Sequence, residues 1–226
     1  MFKLHFVKKL GLAAAVFAAL MAGGSAYASD NPAMDAQVKH INDEWARIKY
    51  QMVGRSNQYD QIDALAQQAA QVVARYPGRP EPLLWQGIVT SEEAAMASTF
   101  SKLGYASKAR DILERAHTIN PKAANGGVLM SLGVLYYKVP GFPIGFGSAK
   151  KARDYLNAAL AMDPNGLDSN FFYGDFLAAQ GDYANARAHL LRALKAPADP
   201  DRPVWDAGRR GEVKKLIGEV DRHLRG

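Results

Sequence analysis

The chain has no cysteine among its 226 residues. Disulfide bonds, thiolate metal sites and cysteine nucleophiles are therefore excluded. The absence also removes the cysteine that carries the lipid in bacterial lipoproteins, so we expect no membrane anchor once the leader described below is removed. A chain without cysteine suits an oxidising compartment such as the bacterial periplasm.

Motifs of catalysis are also missing. The sequence has no HExxH pair, no phosphate-binding loop and no GxSxG elbow. The four histidines beyond the leader are far apart, so a zinc site would need distant carboxylates to converge; they are His40, His117, His189 and His223. We expect a protein that is not an enzyme and that has no metal site and no cofactor.

The excess of positive charge is small. The chain has 28 Lys and Arg against 22 Asp and Glu, a net charge of +6. Residues 1–28 hold three lysines and no acid, so the remainder has 25 basic and 22 acidic residues, a net charge of +3. Because both signs are interspersed, we expect no nucleic-acid partner.

The first 28 residues have the pattern of a signal peptide. Lys3, Lys8 and Lys9 precede an uncharged apolar run over 10–22, and Ala26-Tyr27-Ala28 is a small-x-small cleavage site. The run is shorter than the roughly 20 residues of a membrane span, although an uncleaved anchor is an alternative. We predict export to the periplasm, cleavage after Ala28, a disordered tail over 29–36 and one folded domain over 37–226.

A spaced quartet of Ala, Leu, Ala and Pro recurs along this domain. Offsets of three and four residues place side chains on one helix face, and the proline ends the helix. The copies are Ala109, Leu113, Ala116, Pro121; Ala152, Leu156, Ala159, Pro164; and Ala186, Leu190, Ala193, Pro197, with a degenerate earlier copy at Leu65, Ala69, Val72, Pro77. Small residues around one leucine let a second helix approach closely, and that helix supplies a glycine upstream at Gly87, Gly133 or Gly174.

These residues resemble the tetratricopeptide repeat (TPR), a helix-turn-helix unit of about 34 residues. The resemblance implies an all-α fold: a TPR-like stack of about four helical hairpins with a C-terminal capping helix. A generic alanine-rich helical bundle is the alternative. Within the second hairpin, Gly104-Tyr105 predicts a turn and a helix from about 107 onward.

One segment departs from plain repeats. Residues 138–147 contain two prolines and three glycines, which cannot continue a helix, and three large apolar residues: Phe142, Ile144 and Phe146. Either these side chains fold back into their own hairpin or they contact a ligand or partner.

From 132 to about 216 the chain looks like the TPR family related to the T component of tripartite ATP-independent periplasmic (TRAP) transporters. The residues that carry this resemblance are Pro140-Gly141-Phe142-Pro143, Phe146-Gly147, the helix of the second quartet, the stretch 170–177 and Asp201-Arg202-Pro203. The resemblance implies a periplasmic helical protein that holds a small apolar ligand or docks onto a solute-binding protein. The chain departs from the family in lacking the lipoprotein cysteine.

The first helix of each hairpin is expected to line the concave face of the stack. Its candidate binding residues are mostly apolar, and they are joined by the two loop aromatics: Leu84, Ile88, Met130, Val134, Tyr137, Phe142, Phe146, Phe171 and Asp175. The same residues could equally be core if the stack closes tightly. We predict a binding or adaptor protein with a protein partner in the cell envelope; the alternative is a TRAP-associated protein that holds or passes on a small apolar ligand.

Overall fold

The computed structural model describes residues 30–225. These residues form nine α-helices and no β-strand, as the repeat pattern predicts. The helices are α1 (Pro32–Gln51), α2 (Gln58–Arg75), α3 (Pro80–Met96), α4 (Thr99–Ile119), α5 (Ala123–Lys138), α6 (Ala149–Met162), α7 (Leu167–Ala179), α8 (Tyr183–Ala193) and α9 (Pro203–Arg225). The predicted signal peptide lies outside the described residues. Within 30–225, no helix is long and apolar enough to cross a membrane.

The first helix begins earlier than the sequence predicted. Residues 32–36, expected in a disordered tail, form the start of α1. The Asn31 side chain accepts a hydrogen bond from the Met34 amide at 3.1 Å, and Pro32 suits the first helical position. Met34 is fully buried. The tail prediction missed this cap because it weighed only how little apolar surface the segment offers.

Helices α1 to α8 form four antiparallel hairpins, and the quartets lie between their helices. All nine Ala and Leu members of the three regular quartets are 3 % exposed or less. A Cβ placed on Gly87 would lie 2.5 Å from Leu113 Cγ, and one on Gly133 would lie 2.6 Å from Leu156 Cγ. Glycine is therefore required there, because the quartet leucine occupies the space that any side chain would need.

The second hairpin is more regular than predicted. Gly104 and Tyr105 lie inside α4, which starts at Thr99, so the predicted turn at this point is wrong. The reversal instead takes place at Ala97 and Ser98, which have extended backbone angles. A Cβ on Gly104 would meet nothing within 4 Å. This glycine is an exposed helical residue, which costs only about 1 kcal/mol relative to alanine.

The hairpins define two edges of the molecule. At one, here called the hairpin-turn edge, the chain reverses within hairpins at 52–57, 97–98, 139–148 and 180–182. At the other, the linker edge, it passes between hairpins or to α9 at 76–79, 120–122, 163–166 and 194–202. Because hairpin helices are antiparallel, all turns of one kind lie on the same edge.

Helix α9 was predicted as a cap on the last hairpin, and it reaches further. It contacts α7 and α8, and it also contacts α1 at the other end of the stack. The Tyr50 hydroxyl donates to Glu212 Oε2 at 3.0 Å, and Gly208 lies against the Tyr50 ring, where a Cβ would come within 2.4 Å. The first and last hairpins are therefore joined across the concave side.

Candidate binding cleft

A cleft of about 870 Å³ lies on the concave side of the stack. Helices α3, α5 and α7 form its floor, the end of α1 and the face of α9 form its walls, and the start of α4 and the 139–148 loop close one end. The size is within the range of about 300–1,000 Å³ that is common for ligand sites.

Six of the nine candidate binding residues line this cleft. Leu84 and Phe171 are 1 % and 7 % exposed, whereas the other four are half-buried: Ile88, Met130, Val134 and Asp175. The three apolar residues of this half-buried set, Ile88, Met130 and Val134, offer contact surface that is not buried in the core. The arrangement of the six residues on three successive first helices follows the repeat geometry.

Tyr137 faces away from the cleft. Its ring packs edge-on against Phe176 with centroids 5.6 Å apart, and its hydroxyl donates to Asp175 Oδ2 at 2.7 Å. Burial and the neighbouring carboxylate raise the pKa of Tyr137 well above its usual value, so it stays protonated. Tyr137 acts from behind the cleft by fixing Asp175, which also pairs with Lys138 Nζ at 2.7 Å.

The loop aromatics separate into two environments. Phe146 packs edge-on against Tyr136 with centroids 5.6 Å apart and lies under the Arg110 guanidinium at 4.5 Å. Phe142 is 93 % exposed and lines no part of the cleft. Ile144, between them, is 70 % exposed and lies at the cleft's loop end. One aromatic therefore plugs its own hairpin while the other is free.

Sequence reasoning missed the contribution of α9. Trp205, Arg209, Glu212, Leu216 and Glu219 line the cleft from one face of this helix. Their spacing of three and four residues was visible in the sequence, but the helix was expected to use its apolar face only as a cap. Trp45 and Trp85 also line the cleft and were not among the candidates, although Leu84 and Ile88, on α3 with Trp85, were.

Arg209 is the most buried charge of the cleft, at 4 % exposure. Its guanidinium lies 2.7 Å from Asp168 and 2.6 Å from Glu212, and stacks over Phe171 and Phe172 at 4.7 and 4.5 Å. Burial alone would lower the pKa of Arg209, but the two carboxylates and Tyr50 raise it above its usual value. This ion-paired group ties α9 to α7.

Most of the other cleft charges are paired in the same way. Lys49 lies 3.1 Å from Glu92 and 3.7 Å from Glu212, and Lys138 pairs with Asp175. Because these charges are paired, the net electrostatic field over the apolar floor of the cleft is small. Among residues 30–225, no group of three or more His, Asp or Glu is placed to hold a metal ion.

Comparison with known proteins agrees with this architecture. Residues 144–209, from the end of the loop through α6, α7 and α8 to the start of α9, match the family model of the tetratricopeptide repeat. The chain is also similar to a thermophilic TPR protein of Thermus thermophilus, with a TM-score of 0.56 and 14 % identity over 83 % of this chain and 98 % of that one. At that identity the likeness concerns the fold. No curated protein matches the chain.

The narrower resemblance to the TRAP T component remains a prediction. The chain folds as a stack of tetratricopeptide-like hairpins, and from α6 to α8 it carries the sequence pattern of that repeat.

Proposed function

We propose that the protein is an exported binding or adaptor protein of the cell envelope, and that its cleft receives an apolar segment of a protein partner. The observation that carries the proposal is the half-buried apolar floor formed by Ile88, Met130 and Val134. TPR stacks use their concave surface for binding, and the repeat is present here in both sequence and fold.

The distribution of charge supports an apolar guest. Arg209, Lys49 and Lys138 each lie within 4 Å of a carboxylate of the protein itself. A charged guest that bound to any of these three residues would have to displace the existing pair, and displacing a desolvated pair is costly. Lys102 and Lys215, which also line the cleft, form no ion pair among the described residues. Apolar side chains entering between α5 and α9 need displace only water.

A second candidate is the TRAP-associated role, in which the cleft holds or passes on a small apolar ligand. It is favoured by the way α9 and the 139–148 loop bound the concave side. An open TPR groove suits an extended peptide, whereas a bounded cleft of about 870 Å³ also suits one small molecule.

Site-specific photocrosslinking separates these candidates. A photoreactive residue at position 134, on the cleft floor, should crosslink a protein in the native envelope, and the second change Ile88→Gln should abolish the crosslink. The matched control carries the photoreactive residue at position 191, a 37 % exposed leucine on α8 outside the cleft, and should give no product.

Native mass spectrometry of protein purified from its own envelope tests the second candidate, the binding of a small apolar ligand. A co-purifying apolar small molecule that is lost in Ile88→Gln would support the second candidate instead. No crosslink at 134 and an empty mass together would contradict both. Export has its own test, since N-terminal sequencing of protein from the periplasmic fraction should begin at Ser29.

A further inference from the structure

The large apolar residues that remain exposed are concentrated at the hairpin-turn edge. Phe100 is 99 % exposed, Phe142 93 %, Val53 73 % and Ile144 70 %, and they lie in or beside three different turns of that edge. Leu224, 47 % exposed at the end of α9, lies at the same edge because the neighbouring His223 ring stacks on Tyr183 at the start of α8, 4.3 Å away. The two other exposed large apolar residues of the described chain are Ile119 and Leu191, at 44 % and 37 %.

Direct contacts join the three turns into one surface. The hydroxyls of Tyr59 and Tyr105, near the starts of α2 and α4, are 3.2 Å apart. A Cβ placed on Gly145 of the loop would lie 3.2 Å from Leu103 Cδ1, one helical turn from Phe100. The turns that carry the exposed apolar residues therefore lie side by side in the fold.

Each exposed apolar residue of this edge has a basic neighbour in the chain. Arg55 follows Val53, Lys102 follows Phe100, Arg225 follows Leu224, and the loop with Phe142 and Ile144 is flanked by Lys138, Lys150 and Lys151. Among the described residues, Arg55, Lys102, Lys151 and Arg225 form no ion pair. Of the carboxylates in these turns or near them, Asp60 is exposed, and the half-buried Asp182 caps α8. Asp154 pairs with Lys150, and Asp221 pairs with Arg187.

The linker edge differs in its exposed apolar surface. Its connecting segments and their flanks carry charges of both signs in similar numbers: Asp30, Glu81, Asp163, Asp168, Asp199, Asp201 and Asp206 against Arg75, Arg79, Lys122, Arg192, Lys195 and Arg202. The large apolar residues exposed in or beside these segments, among those the structure describes, are Ile119 and Leu191, at 44 % and 37 %. The strongly exposed apolar residues, at 70 % or more, therefore all lie at the hairpin-turn edge.

We propose that the hairpin-turn edge docks on the surface of an anionic lipid bilayer. Single exposed apolar side chains spread over several turns, three of them outside the cleft (Val53, Phe100 and Phe142), fit an extended surface better than a peptide. Phe100, Phe142 and Ile144 enter the boundary between headgroups and acyl chains, and the unpaired bases meet the lipid phosphates. Snorkelling lets Lys and Arg stems accompany the apolar tips. Ile144 and Lys102 also line the loop end of the cleft, whereas Phe100 and Phe142 do not, so these two aromatic residues test the bilayer contact apart from the cleft.

A chain without cysteine allows a local test in the full-length protein. Phe142→Cys and, as matched control, Ile119→Cys are each labelled with an environment-sensitive fluorophore and mixed with phosphatidylcholine vesicles with or without phosphatidylglycerol. The label at 142 should brighten and shift to the blue with the anionic vesicles, and the label at 119 should not. Equal responses at both positions, or none at 142, would overturn the proposal.

Vesicle sedimentation measures the contribution of each group. Changing Phe100 and Ile144 to Ser together should lower the partition coefficient at least about ten-fold, because each large apolar side chain contributes more than about 1.4 kcal/mol when buried. Lys102→Glu should lower it by at least about five-fold, and high salt should mimic that change. Ile119→Ser is the control and should bind as the parent does. If pure lipid gives no binding but a lipid-free envelope protein shifts the 142 label, the partner is a protein and the lipid proposal fails.

Discussion

The hairpin interiors and the cleft are formed by the same helices in two different ways. On α5, Gly133 lies against Leu156 of α6, and the neighbouring contacts are alanine and leucine. Val134, the next residue, faces the cleft, and Lys138, one turn further on, pairs with Asp175. Inside the hairpins the same packing arrangement recurs. The cleft, in contrast, combines charges from α1, α5, α7 and α9, and the repeat pattern does not specify these charges. Stability and function can therefore be tested on separate faces of one helix.

The largest effect is expected inside a hairpin. Leu156→Ala removes a 2 % exposed side chain that fills the space over Gly133 and leaves a cavity between α5 and α6. The free energy of unfolding should fall by about 3–5 kcal/mol. Urea denaturation measures the loss. Leu191→Ala, at a 37 % exposed position of α8, is the control and should change the value by less than about 1 kcal/mol.

The next largest effect is expected for the buried ion pairs of the cleft. Arg209→Ala leaves Asp168 and Glu212 without their buried partner, so the free energy of unfolding should fall by about 3 kcal/mol. Arg187→Ala breaks the more exposed pair with Asp221 and should cost less than about 1 kcal/mol. Equal losses in the two variants would show that the cleft pair is no more than a surface ion pair.

Glu93 should make the free energy of unfolding depend on pH. Glu93 of α3 is 2 % exposed, and its pKa is raised from 4.5 to about 7, chiefly by burial; Lys108 opposes this rise and Asp63 adds to it. The folded state holds the proton more tightly than the unfolded state, so the free energy of unfolding should fall as pH rises from about 4.5 to about 7. A shift of this size corresponds to at most about 3 kcal/mol.

Glu93→Gln should remove that dependence and stabilise the protein by about 1–3 kcal/mol above pH 7. Thermal unfolding of both proteins between pH 4.5 and 8 measures the difference. Parallel curves for the variant and the parent would show that Glu93 is not the group that titrates.

The smallest effect separates the two loop aromatics. Phe146→Ala should cost about 1–2 kcal/mol, because the ring is half-buried against Tyr136 and Arg110. Phe142→Ala should stay within about 0.5 kcal/mol, since the side chain is almost fully exposed. The melting temperatures of the two variants measure the losses. A large loss of stability for Phe142→Ala would mean that the Phe142 ring is packed against other residues in solution.

The repeat pattern predicted what depends on local chemistry. Alanine, leucine and glycine at fixed offsets predicted three of the four hairpins, a degenerate copy predicted the first, and prolines and glycines predicted the 139–148 loop. The same approach failed at Gly104, where an exposed glycine in a helix costs little, and at 32–36, where one Asn cap fixes the helix start. Six candidate residues meet in the cleft because they repeat on successive first helices.

The other half of the cleft depends on the path of α9. Arg209 meets Asp168 only because α9 crosses the concave side, and nothing local to either residue specifies that pairing. The separation of Phe142 from Phe146 has the same origin. Phe146 turns inward against Tyr136 of α5 and Arg110 of α4, and the composition of the loop alone does not specify these contacts.

The bridge between α1 and α9 has a consequence for how the protein unfolds. A linear array of repeats opens from its ends, because each unit touches only its neighbours. Here Tyr50 and Glu212, 162 positions apart, hold the two ends together. A closed array has no free terminal unit, so the stack should open as one cooperative transition. Tyr50→Phe with Glu212→Gln would then convert a single transition into fraying from the first hairpin.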